Sequence, residues 1–284
     1  MLNKIKYWTK LATFNYSSYK VKSDESVKLF WWNKRNNFGD LINFNLISSL
    51  SKHEIEWVPA NYDKEYYMAI GSIIHLATDK TIVWGSGLIS DFARPLKPPK
   101  EILAVRGPLT REILLKLKIK CPDTYGDPAL LLPNYYMPKV DKKYDLGIIP
   151  HFMHKKDAFF NQNFNDNIKV IDIEQNNPMQ FIHEVLECKR IVSSALHGII
   201  VADAYDIPSL RVTFLNKLSG KDFKFNDYYL SVNKEIIKPY SITDKISIDD
   251  ILSLKYQYAK KTKLDSLINV CPFKLNLNRI TGEI

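Results

Sequence analysis

One feature constrains this chain more than any other. Short apolar runs alternate with segments of helical length, once before residue 134 and again after residue 143. In the first series, runs at 27–32, 54–59, 66–71, 81–84 and 101–105 predict strands. Residues 40–50 carry Leu41, Ile42, Phe44, Leu46 and Ile47 mostly on one helical face, with Asp40 at the expected N-cap. Pro108 suits the first turn of a helix reaching about residue 118. In the second series, strands are predicted at 144–149, 168–173, 190–192 and 209–215. Helices are predicted there at 178–189 and 196–205, with one long lysine-rich helix at 248–270. Strands alternating with helices pair in parallel and are covered by helices on both faces, an α/β fold. Residues 134–143 hold two tyrosines, a proline and three lysines and read as a linker. The expectation is two Rossmann-like lobes facing a cleft, residues 1–138 and 139–284.

Composition removes several classes of function. With 45% hydrophobic and 25% charged residues, the chain is not a disordered one. No apolar run approaches the roughly 18 residues of a membrane span. Forty Lys+Arg against 31 Asp+Glu give a net charge of +9, which favours anionic partners. The excess is spread without a basic block, so nucleic acid is not expected. Three cysteines without a CxxC pair point to a reducing compartment and to neither a disulfide framework nor a zinc site. HxxH at His151 and His154 lacks carboxylate support, so no metal is expected. The first fourteen residues lack a secretory pattern. Their Lys4, Lys6 and Lys10 interleave with Leu2, Ile5, Tyr7, Trp8 and Leu11, as in a first helix or a segment resting on a membrane surface. The expected location is cytoplasmic, with peripheral contact at the inner membrane face as the variant.

Ligands of open α/β sheets bind beyond the carboxyl ends of the strands, so residues just after strands are the candidates. Asn37 and Gly39 open the first helix, where close backbone approach and a helix N-terminus favour an anion. Gly85, Ser86 and Gly87 follow another strand and offer N–H groups and a hydroxyl. Arg106 ends a buried strand, where a guanidinium grips a carboxylate or phosphate or else forms a structural ion pair with a buried carboxylate such as Asp127. Asp127 itself reads as structural. His151 follows the first strand of the second series. Ser193, Ser194, His197 and Gly198 lie between a strand and an apolar helix. A histidine at a helix N-terminus has its cationic form disfavoured and can trade protons near neutrality. His197 is therefore the preferred catalytic candidate, with packing as the plain alternative.

In order along the chain, these segments resemble the polysaccharide pyruvyl transferase family. The matching pieces are Asn37-Phe38-Gly39-Asp40, Gly71-Ser72, Trp84-Gly85-Ser86-Gly87, residues 105–111 around Arg106, Gly126-Asp127-Pro128-Ala129, Gly147-Ile148-Ile149-Pro150-His151 and Ser193-Ser194-Ala195-Leu196-His197-Gly198. The resemblance implies a two-lobed GT-B-like fold, with the acceptor side on the first lobe and the donor near the inter-lobe cleft. It implies transfer of pyruvate from phosphoenolpyruvate, without a further cofactor, onto a sugar of a surface polysaccharide or its lipid-linked repeat unit, as a ketal. Functional Arg and His would fall on Arg106 and His197, and Asp40 would orient or deprotonate an acceptor hydroxyl. Many relatives carry arginine where this chain has Ala195, so that contact must come from Arg211 or a lysine. Two other readings stand beside this one: a nucleotide-sugar glycosyltransferase of the same fold, and a non-catalytic glycan-binding protein.

Overall fold

The computed structural model describes residues 23, 25–51, 53–214, 222–260 and 264–273. The first helix expected near the N-terminus lies outside these. Two five-stranded sheets form the framework, and every pairing within them is parallel. The first holds β1 (Val27–Leu29), β2 (Ile55–Trp57), β3 (Tyr66–Met68), β4 (Thr81–Trp84) and β5 (Glu101–Ala104) in the order β2-β1-β3-β4-β5. The second holds β6 (Leu146–Ile149), β7 (Ile168–Val170), β8 (Ile191–Ser193), β9 (Ser209–Thr213) and β10 (Tyr240–Ser241) in the order β10-β9-β8-β6-β7. Counted within its own sheet, each has the same doubly wound order. Each reverses direction at one place, between β1 and β3 and between β6 and β8, which is where such sheets open a ligand crevice.

The helices are α1 (Phe38–Ser51), α2 (Pro108–Lys116), α3 (Pro178–Leu186), α4 (Leu196–Ala204), α5 (Phe223–Ser231), α6 (Ile248–Leu252) and α7 (Leu264–Asn269). Local chemistry sets several starts. Pro108 and Pro178 occupy first helical positions, where a missing N–H costs nothing. Asn177 caps α3 by accepting from the N–H groups of Met179 and Gln180. Asn37, rather than Asp40, caps α1: its Oδ1 accepts from Gly39 N at 3.0 Å, and the helix begins at Phe38. Asp40 then falls in the first turn.

The long helix expected at 248–270 is broken. Ser247 and Asp250 form a capping box that starts α6, which ends after five residues. Gln257 then exchanges two backbone hydrogen bonds with Ser209, at 2.9 and 3.0 Å. Pairing against the start of β9 thus outweighs helical periodicity there. α7 returns to the first sheet, where the Trp84 indole donates to Leu267 O at 3.0 Å. α5 was not visible in the sequence, because its buried stripe includes a charged residue, Asp227, beside Phe225, Tyr228 and Tyr229.

Three apolar clusters hold the fold. One fills the far side of the first sheet and another the far side of the second. The largest is common to both lobes, running from Leu29, Phe38 and Trp84 to Ile149, Phe181, Ile191 and Ile199. Phe38 and Phe181 stack at 4.3 Å across the lobes. Burying such a ring stabilises by about 1.5–3 kcal/mol, so a shared core fixes the lobes against each other.

Candidate active site

The two reversal points face one another, and the N-termini of α1 and α4 meet between them. Phe38 N donates to Ile173 O of the second lobe at 2.9 Å. Arg35 bridges to Glu174 at 3.0 Å and lies over the Phe152 ring at 4.3 Å. The Asn36 amide bonds Asn176. These contacts hold the β1–α1 loop to the loop after β7 and place Gly39 against His197. A β-carbon on Gly39 would lie 1.9 Å from His197 Nδ1, so only glycine leaves room for the ring.

His197 is the centre of the site. Its side chain is 14% exposed, while Nε2 is buried without a hydrogen-bond partner among the described residues. Nε2 points at Asp127 Oδ2, 3.8 Å away, which is likewise buried and unpartnered. Burial, then the charges of Arg106 and Lys224, push the His197 pKa down to about 3. Burial pushes Asp127 up to about 7, against the N–H of Ala129 and the charge of Arg106. Asp40 is raised to about 8 by burial, with Lys224 opposing. Lys224, on the first turn of α5, is lowered to about 8 by burial, Arg106 and Arg211, with Asp40 opposing. His151 is lowered to about 3 by burial, Lys224, His154 and Arg35. Lys224 therefore acts electrostatically on Asp40, His151 and His197 alike. Among the described residues it has no ion-pair or hydrogen-bond partner, and its ammonium lies 5.6 Å from the centre of the Phe225 ring.

Several expected ligand contacts are committed elsewhere. Arg106 is fully buried and forms an ion pair with Asp227 Oδ2 at 3.1 Å. It also donates to Leu88 O at 2.8 Å and Ser72 Oγ at 2.6 Å, leaving only Nε unpartnered. The structural ion pair is real, but its carboxylate is Asp227 rather than Asp127. Asp227 also accepts from the Thr110 hydroxyl and backbone N–H, pinning α5 to α2. The 85–87 loop is not an open cradle. Gly85 N donates to Ala104 O, Gly87 N and the Ser86 hydroxyl donate to Gly71 O, and Ser86 is fully buried. Gly87 lies flat on the guanidinium, since a β-carbon there would sit 2.5 Å from Arg106 Cζ.

The Ser193 hydroxyl is buried, with its single proton shared between Ala195 O at 2.8 Å and Ile149 O at 3.0 Å. A β-carbon on Gly198 would meet it at 2.4 Å. Ser194 Oγ accepts from His151 N at 2.8 Å and shares a hydrogen bond with His154 Nδ1 at 2.9 Å. Both serines, like Ser86 and the Asn37 side chain, shape the loops. Arg211 is tied to Asp222 at 2.5 Å and packs on Phe225, and its charge acts on Lys224.

The structure thus gathers Asp40, Arg106, Asp127, His151, His197 and Lys224. Lys224 and Asp227 escaped the sequence reading because no helix was foreseen around them. The one signal was the alternation of charged and aromatic residues from Phe223 to Tyr229. No group of three or more His, Cys, Asp or Glu side chains among the described residues is placed to hold a metal ion. No helix among them is long and apolar enough to cross a membrane.

Two doubly wound sheets thus carry two histidines, two carboxyls and two cations at their junction. Residues 13–216 match the family model described as Polysaccharide pyruvyl transferase, and the chain belongs to that family. An uncharacterised protein, L143, of Acanthamoeba polyphaga mimivirus is 30% identical over 246 residues, 80% of this chain and 83% of its own. The succinoglycan biosynthesis protein ExoV of Rhizobium meliloti is 26% identical over 212 residues, covering 70% of this chain and 62% of its own length. A functionally uncharacterised Klebsiella pneumoniae protein of known crystal structure aligns with 81% of this chain and 93% of its own, at 11% identity and a TM-score of 0.39.

Proposed function

We propose that this protein transfers the pyruvyl group of phosphoenolpyruvate to two hydroxyls of a sugar in a polysaccharide or its lipid-linked repeat unit, forming a cyclic ketal. The observation that carries the reading is the placement of His197 and Lys224 where the N-termini of α1 and α4 converge. A compact donor with a carboxylate and a phosphate needs fixed positive charge and helix N-termini around it. Lys224 supplies the first. The similarity to ExoV, a succinoglycan biosynthesis protein, supports a polysaccharide acceptor.

The proton balance suits these groups. The donor methylene takes a proton and becomes a methyl group, which makes the adjacent carbon electrophilic. One sugar hydroxyl attacks that carbon and gives up its proton, restoring the one spent. The carbon–oxygen bond to phosphate breaks, and the second hydroxyl closes the ketal as its proton passes to the departing phosphate. His197 exchanges the first pair of protons, as a group held near the reacting atoms can. Asp40, whose pKa burial raises to about 8, orients an acceptor hydroxyl by hydrogen bonding.

The test is mass spectrometry of candidate glycans incubated with protein and phosphoenolpyruvate. A mass gain of pyruvate less water, with phosphate release, is the expected result. His197→Gln should lower turnover by about 10²–10⁴-fold with little change in melting temperature. Stabilisation by nucleotide sugars and not by phosphoenolpyruvate would instead favour glycosyl transfer.

A further inference from the structure

Asp127 is a side chain whose buried geometry its cap alone does not account for. Its Oδ1 accepts from Ala129 N at 3.0 Å and so caps the 3-10 turn Pro128–Asn134. A serine or asparagine would do the same. Its Oδ2 is closed off from solvent, has no partner among the described residues, and lies 3.8 Å from an imidazole nitrogen in the same condition. Among the described residues, this buried oxygen and this buried nitrogen each lack a partner and face one another, which makes each the other's nearest complement. The 3.8 Å separation is longer than a formed hydrogen bond, as catalytic hydrogen bonds often are before substrate binds.

The rest of the ring agrees with this direction. Its remaining exposure is away from Nε2, and Nδ1 lies on the edge beside Gly39, where the first-lobe helix begins. We propose that Asp127 is the positioning residue of His197: its carboxylate holds the proton on Nε2 and leaves Nδ1 as the atom that exchanges protons with the donor methylene and the acceptor hydroxyl. The assignment of Nδ1 to those two atoms rests on the transfer reaction proposed above; the Asp127–His197 link does not.

The pair holds one exchangeable proton near neutral pH, and its net charge is the same whether that proton sits on the carboxyl or on the ring. In the donor form the ring carries protons on both nitrogens, Asp127 is ionised, and the Nδ1 proton leaves for the methylene carbon. The ring is then neutral with Nε2–H. It regains a proton at Nδ1 from the attacking hydroxyl, so the pair ends as it began. The charged and titratable groups acting on the pair are Arg106 from the end of β5 and Lys224 and Tyr228 from α5. The two cations oppose an imidazolium, and the carboxylate behind the ring is what makes one reachable.

Asp127→Asn separates this role from capping. The amide oxygen still accepts from Ala129 N, but the amide NH2 now donates to Nε2 and fixes the proton on Nδ1. The ring nitrogen signals of His197, assigned by their loss in His197→Gln, report the tautomer without any substrate. At about pH 8.5, above the proton uptake of the pair, wild type should show Nε2–H and Asp127→Asn should show Nδ1–H. Turnover of the variant should fall about 10²–10⁴-fold with donor KM little changed, and the limb of the pH profile near neutrality should move. Wild-type turnover and pH profile in Asp127→Asn would overturn the proposal, as would an unchanged tautomer in an inactive variant. If the variant does not fold, the wild-type spectrum decides: Nε2–H supports the proposal and Nδ1–H overturns it. Failure of phosphoenolpyruvate as donor would remove the kinetic arm and leave the spectroscopic one standing.

Discussion

Gly39 of the first lobe and His197 of the second are in direct contact, with the imidazole occupying the space where a side chain at Gly39 would begin. The first helix of one lobe is therefore built around the imidazole of the other. Gly39→Ala must displace the ring or the helix start. Overpacking of this kind costs about 1–3 kcal/mol. The expected outcome is a lowered melting temperature and a large loss of turnover. Full activity in this variant would show that His197 works from another position.

The Arg106–Asp227 pair joins the end of β5 to α5, and both side chains are fully buried. Removing one partner strands the other charge, so Arg106→Met or Asp227→Leu alone should destabilise by about 3–5 kcal/mol. The double variant should regain much of that loss, because well-packed apolar residues replace buried ion pairs at little cost. Urea denaturation of the three variants measures it. Equal destabilisation in single and double variants would mean that the pair is not the source of the effect.

Among the described residues Lys224 has no ion-pair partner, so its removal should act on binding rather than folding. Lys224→Gln should weaken phosphoenolpyruvate binding by about tenfold or more, the worth of a charged hydrogen bond of about 1.5–3 kcal/mol. Calorimetric titration gives the affinity and a thermal melt checks the fold. Unaltered affinity would remove Lys224 from the donor site.

Stability should respond to pH in two opposite ways. Asp40 and Asp127 have folded-state pKa values raised to about 8 and about 7. Each retains its proton in the folded state after losing it in the unfolded one, so stability falls as pH rises from about 4 to those values. His75, His151 and His197 are lowered to about 4, 3 and 3, so stability falls as pH drops below about 6.5 and the unfolded histidines charge. Between about pH 6.5 and 8 the carboxyls dominate and stability should decline; above about pH 8 the lowered pKa of Lys224 acts the other way, since the unfolded lysine keeps its proton longer. For the wholly buried Asp127 the slope is up to about 1.4 kcal/mol per pH unit before it titrates. Asp40→Asn should flatten the decline, as read from urea melts at several pH values. An identical slope in variant and wild type would contradict the raised pKa of Asp40.

The sequence by itself determined the layered architecture. The runs at 81–84 and 101–105 became β4 and β5 nearly residue for residue: β4 is buried along its whole length, as a central parallel strand must be, and the edge strand β5 stays apolar after its exposed Glu101. Pro108 and Pro178 marked helix starts through their missing N–H groups. The placement of His197 at the start of α4, between strand and helix, was equally legible. What only the tertiary structure decided was which polar groups remain free. Asn37, Ser86 and Ser193 are all polar residues at or just after strand ends, yet their side chains are consumed by backbone groups nearby. Arg106 found Asp227, 121 residues away, and α5 came with it. Lys224 entered the site on that helix, and Asp127 came to face His197 from 70 positions back in the chain. Residue type sets what a side chain is able to bond. Its actual partner depends on which groups packing brings within about 3 Å and which it shuts away from water, and neither is local in sequence.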